Sequence, residues 1–387
     1  MADVTSNSQP VQMLDFARQY AGIRQEILEA IEKVCDSQKF ILGPQVTSFE
    51  NAAAAACAVS HGVGCASGTD AIWLAIAAAN IGPGDAVITT PFSFFATVSA
   101  ILRCGAQPLL ADIDPATYNL SADSVETVLR DHAGAKIKAI LPVHLYGQCA
   151  DWDAFAALKQ RHGLLLIEDA AQAFGATWNG TPAGALGDLA AFSFYPTKNL
   201  SAFGDAGLLT TVSDEFNDHA RILRAHGMRQ RYFHEEVGWN SRLDSLQAAV
   251  LEVKLKHLPQ WNQQRRELAA NYDKLFHKAG LVGSGTDKGV VLPFSDPRAG
   301  HVFHQYVIRA PRRDALRQYL TDRQVGSEIY YPLPLHLQTS LAGLGYKQGD
   351  FPVSEKAAAE VLALPMYPEL REDEQVTVVD TIAAFYA

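Results

Sequence analysis

The sequence has few cysteines, and their arrangement suggests neither a disulfide framework nor a zinc site. Five of the 387 residues are cysteines, an odd number, and no two form a Cys-x-x-Cys pair. Disulfide-rich secreted domains and structural zinc sites both depend on characteristic cysteine spacings. We therefore expect no bound metal, and a reducing cytoplasm is the compartment that fits best.

A long apolar run and an excess of basic residues are also missing. The first ten residues lack a basic start followed by an apolar core, and the apolar stretches elsewhere are too short to span a membrane. The net charge is −10, whereas the phosphates of nucleic acid require a basic surface. We expect neither a membrane nor a nucleic acid as a partner.

Short apolar runs do alternate with helical patterns along the first part of the chain. The runs cover residues 87–90, 108–111, 139–143, 164–167, 190–194 and 207–212. Such an alternation predicts an α/β fold with a mostly parallel central sheet that is covered by helices. Upstream, apolar residues at helical spacing from Ile23 to Val34, a break at Gly43-Pro44 and the alanine-rich stretch 49–58 predict two helices around a turn.

A smaller second domain is predicted after this α/β region. A helical pattern continues from Leu243 through Pro259 to Phe276, as a long connection between domains would. A candidate strand at 306–308, a candidate helix at 312–320 and a proline-rich loop at 330–336 follow. We predict a large α/β domain over residues 1–250 and a smaller C-terminal α+β domain over residues 251–387.

Lys198 and Asp169 are the strongest candidates for chemistry. Each follows a predicted strand, and the carboxyl ends of strands are where open α/β sheets bind ligands. A lysine can hold pyridoxal phosphate (PLP) as a Schiff base, and a buried carboxylate can keep the pyridinium nitrogen of that cofactor protonated. Each residue has a plain alternative, since Lys198 could be a solvated surface charge and Asp169 could cap a helix beginning at Ala170.

Other residues near these strand ends could complete such a site. Ser67-Gly68-Thr69 precedes a helical pattern and offers hydroxyls and free backbone N–H groups to a phosphate, although a simple helix cap is the alternative. Ser193 offers another hydroxyl. Gln172 lies close enough to Asp169 to contact the phenolic oxygen of the cofactor, with a capping box as the alternative. The ring of Phe94 could stack on the cofactor, although core packing is the default for a phenylalanine.

Four arginines are concentrated between residues 221 and 231, which makes this segment the best candidate for meeting an anionic substrate. We assign Arg221 and Arg224 more readily to ordinary helix surface. Arg229, Arg231 and Arg242 are better placed to reach a ligand, because the glycines around them indicate loops.

Taken together, these residues resemble the DegT/DnrJ/StrS-type family of PLP-dependent nucleotide-sugar aminotransferases, which have the fold-type I (aspartate aminotransferase-like) architecture. The resemblance extends over nearly the whole chain. Its ordered blocks are Gly43-Pro44, Ser67–Ala71, Gly82–Asp85, Asp112–Asp114, Pro142–Gly147, Glu168–Ala173, Ser193–Asn199, Asn240–Asp244 and Leu364–Met366.

The resemblance implies roles for the candidate residues. Lys198 would carry the cofactor, Asp169 would pair with its pyridinium nitrogen, Gln172 would contact its phenolic oxygen and Phe94 would stack on its ring. The phosphate would be bound by Ser67, Gly68, Thr69, Ser193 and Asn240 of the partner subunit. The active protein would then be a homodimer with shared sites.

The resemblance also implies a substrate class. L-glutamate would donate an amino group to a keto sugar linked to a nucleotide. The segment Gly204-Asp205-Ala206-Gly207 resembles the branch that acts on dTDP-linked 3-keto-6-deoxy sugars, while a 4-keto sugar, a UDP sugar or a cyclitol ketone stays open. Arg231, Tyr331 and His336 are candidates for binding the pyrophosphate, although His336 could equally be a surface histidine.

Two relatives with other functions share this pattern. PLP-dependent sugar dehydratases resemble the family but have a histidine in place of the lysine, so Lys198 argues against them. A non-catalytic regulatory relative would not need the full set of Lys198, Asp169, Gln172 and Ser193.

Overall fold

A seven-stranded sheet with helices on both faces dominates the structure, a computed structural model that describes residues 10–283 and 289–387. Within these residues the helices are α1 Phe16–Ser37, α2 Pro44–Ala56, α3 Gly68–Ala78, α4 Ala96–Arg103, α5 Ala122–Asp131, α6 Trp152–His162, α7 Asp214–Leu223, α8 Ser245–Lys278, α9 Arg313–Asp322, α10 Pro352–Glu360 and α11 Glu372–Tyr386. The strands are β1 His61–Cys65, β2 Ala86–Thr89, β3 Gln107–Leu110, β4 Ile137–Ile140, β5 Leu165–Asp169, β6 Thr177–Trp178, β7 Thr181–Pro182, β8 Leu189–Ser193, β9 Gly207–Thr211, β10 Met228–Gln230, β11 Phe233–His234, β12 Ala299–Gly300, β13 Tyr306–Arg309 and β14 Val361–Leu364.

The strand order in the large sheet is β1-β9-β8-β5-β4-β2-β3. The five strands β3, β2, β4, β5 and β8 are parallel, and β9 is antiparallel to both of its neighbours. All six strands predicted from the apolar runs belong to this sheet, and the predicted and observed bounds differ by no more than three residues. The predicted mostly parallel sheet is therefore confirmed.

Both faces of the sheet are buried, which explains why its strands are continuous apolar runs rather than alternating ones. On one face, residues such as Val87 and Ile167 pack against α3, α4 and α7. On the other face, Ile88 and Leu166 pack against α2, α6 and the start of α8. Side chains of successive strand residues point to opposite faces, so each strand contributes to both cores.

The two helices predicted before the sheet are confirmed as α1 and α2. Pro44 is the first residue of α2, where its missing N–H costs no hydrogen bond. Ile23 and Ile27 of α1 pack against Val250 and Val253 of α8. The predicted long connection is also present, because α8 runs for 34 residues with Pro259 in its interior.

A second apolar core surrounds the far end of α8. It joins Tyr272 and Phe276 of α8 to β13, β14, α9 and α11, and it also includes Tyr118 and Tyr146 from the large-sheet half of the chain. The division proposed between residues 250 and 251 falls inside α8. The division into two domains stays a prediction, and both predicted domains would share α8.

Candidate active site

The carboxyl ends of β5 and β8 bring the two strongest candidate segments together. Asp169 is the last residue of β5 and pairs in parallel register with Ala191, two residues before Ser193, which ends β8. The loop that contains Lys198 begins immediately after Ser193. Two segments that are about thirty residues apart in the sequence thus meet at one edge of the sheet.

Asp169 is buried, and only part of its hydrogen-bonding capacity is used. Thr97 in α4 donates its hydroxyl proton to Oδ2 at 2.7 Å, and the backbone N–H of Ala171 donates to Oδ1 at 3.2 Å. Burial raises the pKa of Asp169, while these hydrogen bonds and the nearby charge of Lys198 oppose the rise. A cation beside this carboxylate would therefore be strongly favoured.

The preceding residue, Glu168, differs from Asp169 because both of its carboxylate oxygens are fully hydrogen-bonded. It points to the other face of β5 and accepts hydrogen bonds from the N–H groups of Gly184, Leu186 and Gly187, at 2.8 to 3.0 Å. His144 lies 3.0 Å from the same carboxylate. The Nδ1 of His144 accepts from the N–H of Ala150, so its proton is on Nε2 and is donated to Glu168.

No helix follows Asp169, so the alternative role as a helix cap is not realised. Residues 170–176 form turns, and the N–H of Ala171 closes a local turn on the Asp169 side chain. The capping-box alternative for Gln172 fails for the same reason.

Lys198 is half-buried, and burial lowers the pKa of its amine to about 8, although the charge of Asp169 opposes that shift. At neutral pH an appreciable fraction of such an amine is unprotonated, as a nucleophile or a general base requires. The solvated-lysine alternative therefore does not describe this side chain.

The residue after the lysine fixes this loop to the rest of the protein. The buried Asn199 amide donates to the Asn262 side chain in α8 at 3.0 Å and to the backbone oxygen of Val302 at 3.1 Å. Nδ1 of His304 lies 3.1 Å from the Asn199 side-chain oxygen, which can only accept, so His304 donates there. Lys198 is therefore held on a loop whose position is tied to both halves of the chain.

The segment Ser67-Gly68-Thr69 begins α3 and packs closely against the ends of β8 and β9. A Cβ atom added to Gly68 would lie 2.4 Å from Cβ of Ser193, and one added to Gly207 would lie 2.2 Å from the backbone oxygen of Ser67. The Ser67 hydroxyl oxygen accepts the N–H of Asp70 at 3.1 Å, which confirms the helix cap. Its own proton stays free to be donated, and Ser193 lies beside it.

Gln172, three residues along the chain from Asp169, is joined to Tyr331 by a hydrogen bond. The side-chain oxygen of Gln172 accepts the N–H of Tyr146 at 2.7 Å, and its amide nitrogen donates to the Tyr331 hydroxyl at 3.1 Å. The ring of Phe94 is 58% exposed and lies 6.2 Å from the ring of Tyr331. Phe94 thus has a free face beside the cluster, whereas Phe92 is fully buried.

Arg231 and Asn240 lie on the outside of the single chain. Arg231 is in the connection between β10 and β11, and its guanidinium lies 4.8 Å from the ring centre of the exposed Tyr232. Asn240 follows this hairpin and is also exposed. Within a single chain, no contact among the described residues joins Arg231 or Asn240 to Lys198.

His336, in contrast, is buried rather than on the surface. Its Nε2 lies 3.0 Å from the Glu355 carboxylate, and its ring contacts Phe351. The surface-histidine alternative is therefore wrong. Because the carboxylate of Glu355 would repel a pyrophosphate, His336 is the least favoured of the three substrate-binding candidates.

Arg224 is not helix surface, as the sequence had predicted, but is buried and pairs with Glu50 and with the backbone oxygen of Gly64. Arg221 binds the same carboxylate at 3.0 Å. The two arginines neutralise a buried glutamate in α2 and are engaged in holding α2, β1 and α7 together.

The clustered residues fit PLP. The cluster supplies an amine with a lowered pKa, a buried carboxylate with capacity for a cationic ring nitrogen, and a helix N-terminus flanked by two serine hydroxyls for a phosphate. Sequence reasoning missed Thr97, which orients Asp169 from 72 residues upstream. No motif around Thr97 distinguishes it from any other helical threonine.

Other kinds of site find no support in the part of the chain that the structure describes. Residues 10–283 and 289–387 contain no group of three or more histidine, cysteine, aspartate or glutamate side chains placed to hold a metal ion. No helix within the same residues is long and apolar enough to cross a bilayer.

Comparison with known proteins gives relatives along almost the entire chain. A protein from Geobacillus stearothermophilus named "Pleiotropic regulatory protein" is 50% identical over 97% of this chain and 98% of its own length. A UDP-N-acetyl-3-dehydro-alpha-D-glucosamine 3-aminotransferase from Acidithiobacillus ferrooxidans is 43% identical, over 96% of each chain. A dTDP-3-amino-3,4,6-trideoxy-alpha-D-glucose transaminase from Streptomyces venezuelae is 41% identical, over 96% of this chain and 95% of its own.

The fold matches a solved structure equally well. The crystal structure of S. venezuelae DesV in complex with a ketimine intermediate has a TM-score of 0.92 and 40% identity, and the match covers 98% of this chain and 99% of that chain. The model of the DegT/DnrJ/EryC1/StrS aminotransferase family matches residues 21–383. The chain therefore belongs to the DegT/DnrJ/EryC1/StrS aminotransferase family.

Proposed function

We propose that the protein is a PLP-dependent aminotransferase that moves an amino group from L-glutamate to the keto carbon of a nucleotide-linked sugar. The observation that carries this proposal is the pair formed by Lys198, with its lowered amine pKa, and the buried Asp169 at adjacent strand ends. The names of two aminotransferase relatives, which act on UDP-linked and dTDP-linked sugars, support the substrate class.

Lys198 and Asp169 are the catalytic residues of this proposal. When bound, the cofactor supplies the electron sink that makes the proton on the substrate carbon labile. The amine of Lys198 holds the cofactor and, once released, carries that proton between the two carbons that exchange the amino group. Asp169, oriented by Thr97, holds a proton on the ring nitrogen through its negative charge.

The remaining contacts would orient the ring and the phosphate. Ser67, Gly68, Thr69 and Ser193 offer hydroxyl and N–H donors to the phosphate, Gln172 offers its amide to the phenolic oxygen, and Phe94 offers the free face of its ring. The Gln172 amide already donates to Tyr331. With Gln172 at the phenolic oxygen, Tyr331 would be near the reacting carbon, and we propose that it binds the sugar rather than the pyrophosphate.

The sugar is proposed to carry its keto group at carbon 3. The segment Gly204-Asp205-Ala206-Gly207 resembles the branch that uses dTDP-linked 3-keto-6-deoxyhexoses, and the two relatives above are both named for amino transfer at position 3. A UDP-linked 3-keto sugar is the nearest competitor, and a 4-keto sugar follows it.

We also propose a homodimer, in which Asn240 of the partner subunit completes the phosphate site and Arg231 of the partner subunit meets the pyrophosphate. The exposure of the β10–β11 hairpin and of the residues just after it supports this arrangement: Tyr232, Phe233 and Val237 are 74%, 65% and 89% exposed in a single chain. Apolar side chains so exposed are typical of a protein interface. The five cysteines are all free thiols, which supports a cytoplasmic location.

A regulatory role is the second candidate, because the relative with 50% identity is named a regulatory protein. A regulator without turnover would not need an amine whose pKa is lowered beside a buried carboxylate. The two functions are separated by whether amino transfer occurs.

The test is to convert the purified protein to its pyridoxamine phosphate form with L-glutamate and to add keto-sugar nucleotides one at a time. A dTDP-linked 3-keto-6-deoxyhexose is expected to restore the absorption band of the pyridoxal form. Restoration by a UDP-linked 3-keto sugar alone would change the nucleotide assignment. A protein that binds the cofactor but whose absorption never responds to L-glutamate would contradict the enzyme proposal.

A further inference from the structure

A buried lysine lies behind the loop that carries Lys198. Lys254, in α8, is only 3% exposed, and its Nζ donates to the Ser201 hydroxyl at 3.0 Å. The same ammonium lies 4.8 Å from the ring centre of Phe203. No carboxylate among the described residues lies within 4.0 Å of it, whereas buried lysines in proteins are nearly always paired with an anion.

The missing anion matters because Lys254 borders an open cavity. The cavity has a volume of about 440 Å³, which is within the range of small-molecule sites. One wall is the N-terminal part of α1, and the other is the Lys198 loop. The lining residues are Phe16, Ala17, Gln19, Tyr20, Pro196, Ala202, Phe203 and Lys254.

The walls of this cavity are apolar and aromatic, with a single charge at the base. The rings of Tyr20 and Phe203 meet edge to face with centroids 5.8 Å apart, and Phe16 and Phe203 are 51% and 46% exposed. Burial lowers the pKa of Lys254 to about 8, and only the more distant charge of Glu369 opposes the shift. Most of the amine is nevertheless protonated at neutral pH.

We propose that this cavity is a second ligand site, which binds a small molecule with an apolar body and a single carboxylate that pairs with Lys254. Aromatic walls exclude a strongly polar dicarboxylate such as L-glutamate or its keto acid, since the second carboxylate would lose its water without gaining a partner. An aryl-alkyl monocarboxylate matches both features: its ring packs against Phe16, Tyr20 and Phe203, and its carboxylate supplies the missing counter-ion.

The site is separate from the proposed active site but is attached to the same loop. None of its lining residues belongs to the group around Lys198 and Asp169. Pro196, Ser201 and Ala202 nevertheless lie within a few residues of Lys198. Binding of the acid would thus contact the segment that positions the catalytic lysine.

The test is calorimetric titration of the holoenzyme with 3-phenylpropionate at pH 7, with the neutral 3-phenylpropan-1-ol as the matched ligand. The acid is expected to saturate one site per chain, and the alcohol is expected to bind at least about tenfold more weakly because it lacks the charge. Lys254→Met is expected to weaken binding of the acid by at least about tenfold, whereas Lys256→Met, at the exposed lysine two residues away, is expected to have no effect.

A second variant guards against misfolding of Lys254→Met. Ala17 is exposed on the cavity wall, so Ala17→Trp fills the cavity without disturbing the core and is expected to abolish binding. Lys198→Ala is expected to bind the acid as the wild type does, which separates this proposal from the catalytic one. The proposal would be overturned if the acid showed no saturable binding to the wild type. It would also be overturned if Lys254→Met and Ala17→Trp bound the acid as tightly as the wild type does, or if Lys198→Ala lost binding.

Discussion

Two lysines of this protein, the half-buried Lys198 and the buried Lys254, differ in the partners that surround their amines. Burial lowers the pKa of both Lys198 and Lys254 to about 8. Lys198 has a carboxylate nearby and lies at the end of a strand, whereas Lys254 has a hydroxyl, an aromatic ring and an apolar cavity. In the proposed function, the same desolvation prepares the amine of Lys198 for covalent chemistry beside Asp169, whereas it leaves Lys254 in need of a counter-ion.

The largest expected effect is the loss of turnover on substitution of Lys198, which substitution of Lys254 should not cause. In the proposed mechanism Lys198→Ala removes both the attachment of the cofactor and the proton carrier, and we expect amino transfer to fall by about 10⁴-fold. Lys254→Met should retain turnover. The rate of return from the pyridoxamine form, measured in single-turnover experiments, checks this prediction. An equally severe loss in Lys254→Met would abolish the distinction.

Asp169→Asn tests the partner of Lys198. We expect amino transfer to fall by about 10²- to 10³-fold, because a neutral amide no longer stabilises the charge on the ring nitrogen. In the cofactor-free protein the pKa of Lys198 should fall further, since the negative charge that opposes burial is gone. The pH dependence of Lys198 acylation, followed by peptide mass spectrometry, measures that pKa. An unchanged or raised value would contradict the electrostatic coupling.

Lys254→Met should stabilise the ligand-free protein at neutral pH. The fall in pKa from 10.5 to about 8 corresponds to about 3 kcal/mol, and loss of the hydrogen bond to Ser201 reduces the expected gain to about 2 kcal/mol.

The pH dependence of this gain has a definite sign. Between pH 8 and pH 10.5 the folded wild type has lost the Lys254 proton and the unfolded chain retains it, so wild-type stability rises with pH relative to the variant. The advantage of Lys254→Met should therefore be greatest below pH 8 and shrink towards pH 10.5. Urea unfolding of both proteins across this window measures it. An advantage that is independent of pH would show that Lys254 is not the titrating group.

The smallest expected effect comes from Ser201→Ala, which removes the hydrogen-bond acceptor of Lys254. We expect the free energy of unfolding to fall by about 1 kcal/mol, because a buried donor is left unpaired. In the Lys254→Met background the same substitution should have almost no effect, and the double-mutant cycle isolates the contact. An equal loss of unfolding free energy in the wild-type and Lys254→Met backgrounds would show that Ser201 stabilises the protein through a contact other than Lys254.

Local patterns in the sequence were sufficient to predict most of the sheet and the position of the central pair. Apolar runs identified six of the seven strands, all except β1, and the rule that ligands bind at carboxyl strand ends selected Asp169 and Lys198. Neither pattern depends on contacts between distant parts of the chain. The sequence left open whether Asp169 caps a helix, and the turns over residues 170–176 exclude that alternative.

Contacts between distant residues were not predictable in this way. Thr97 reaches Asp169 across 72 residues, and Arg224 reaches Glu50 across 174. Arg224 has the sequence context of surface helix, yet it is buried because a glutamate in α2 needs a partner. Lys254 lies in a helical pattern that gives no sign of a cavity, since one wall of that cavity comes from α1, more than two hundred residues earlier.

The most direct test of the central claim is to reduce the holoenzyme with borohydride, digest it and locate the cofactor by mass spectrometry. Our account predicts a phosphopyridoxyl group on Lys198, with Lys254 unmodified. A cofactor attached to Lys254, to another lysine or to none would contradict it.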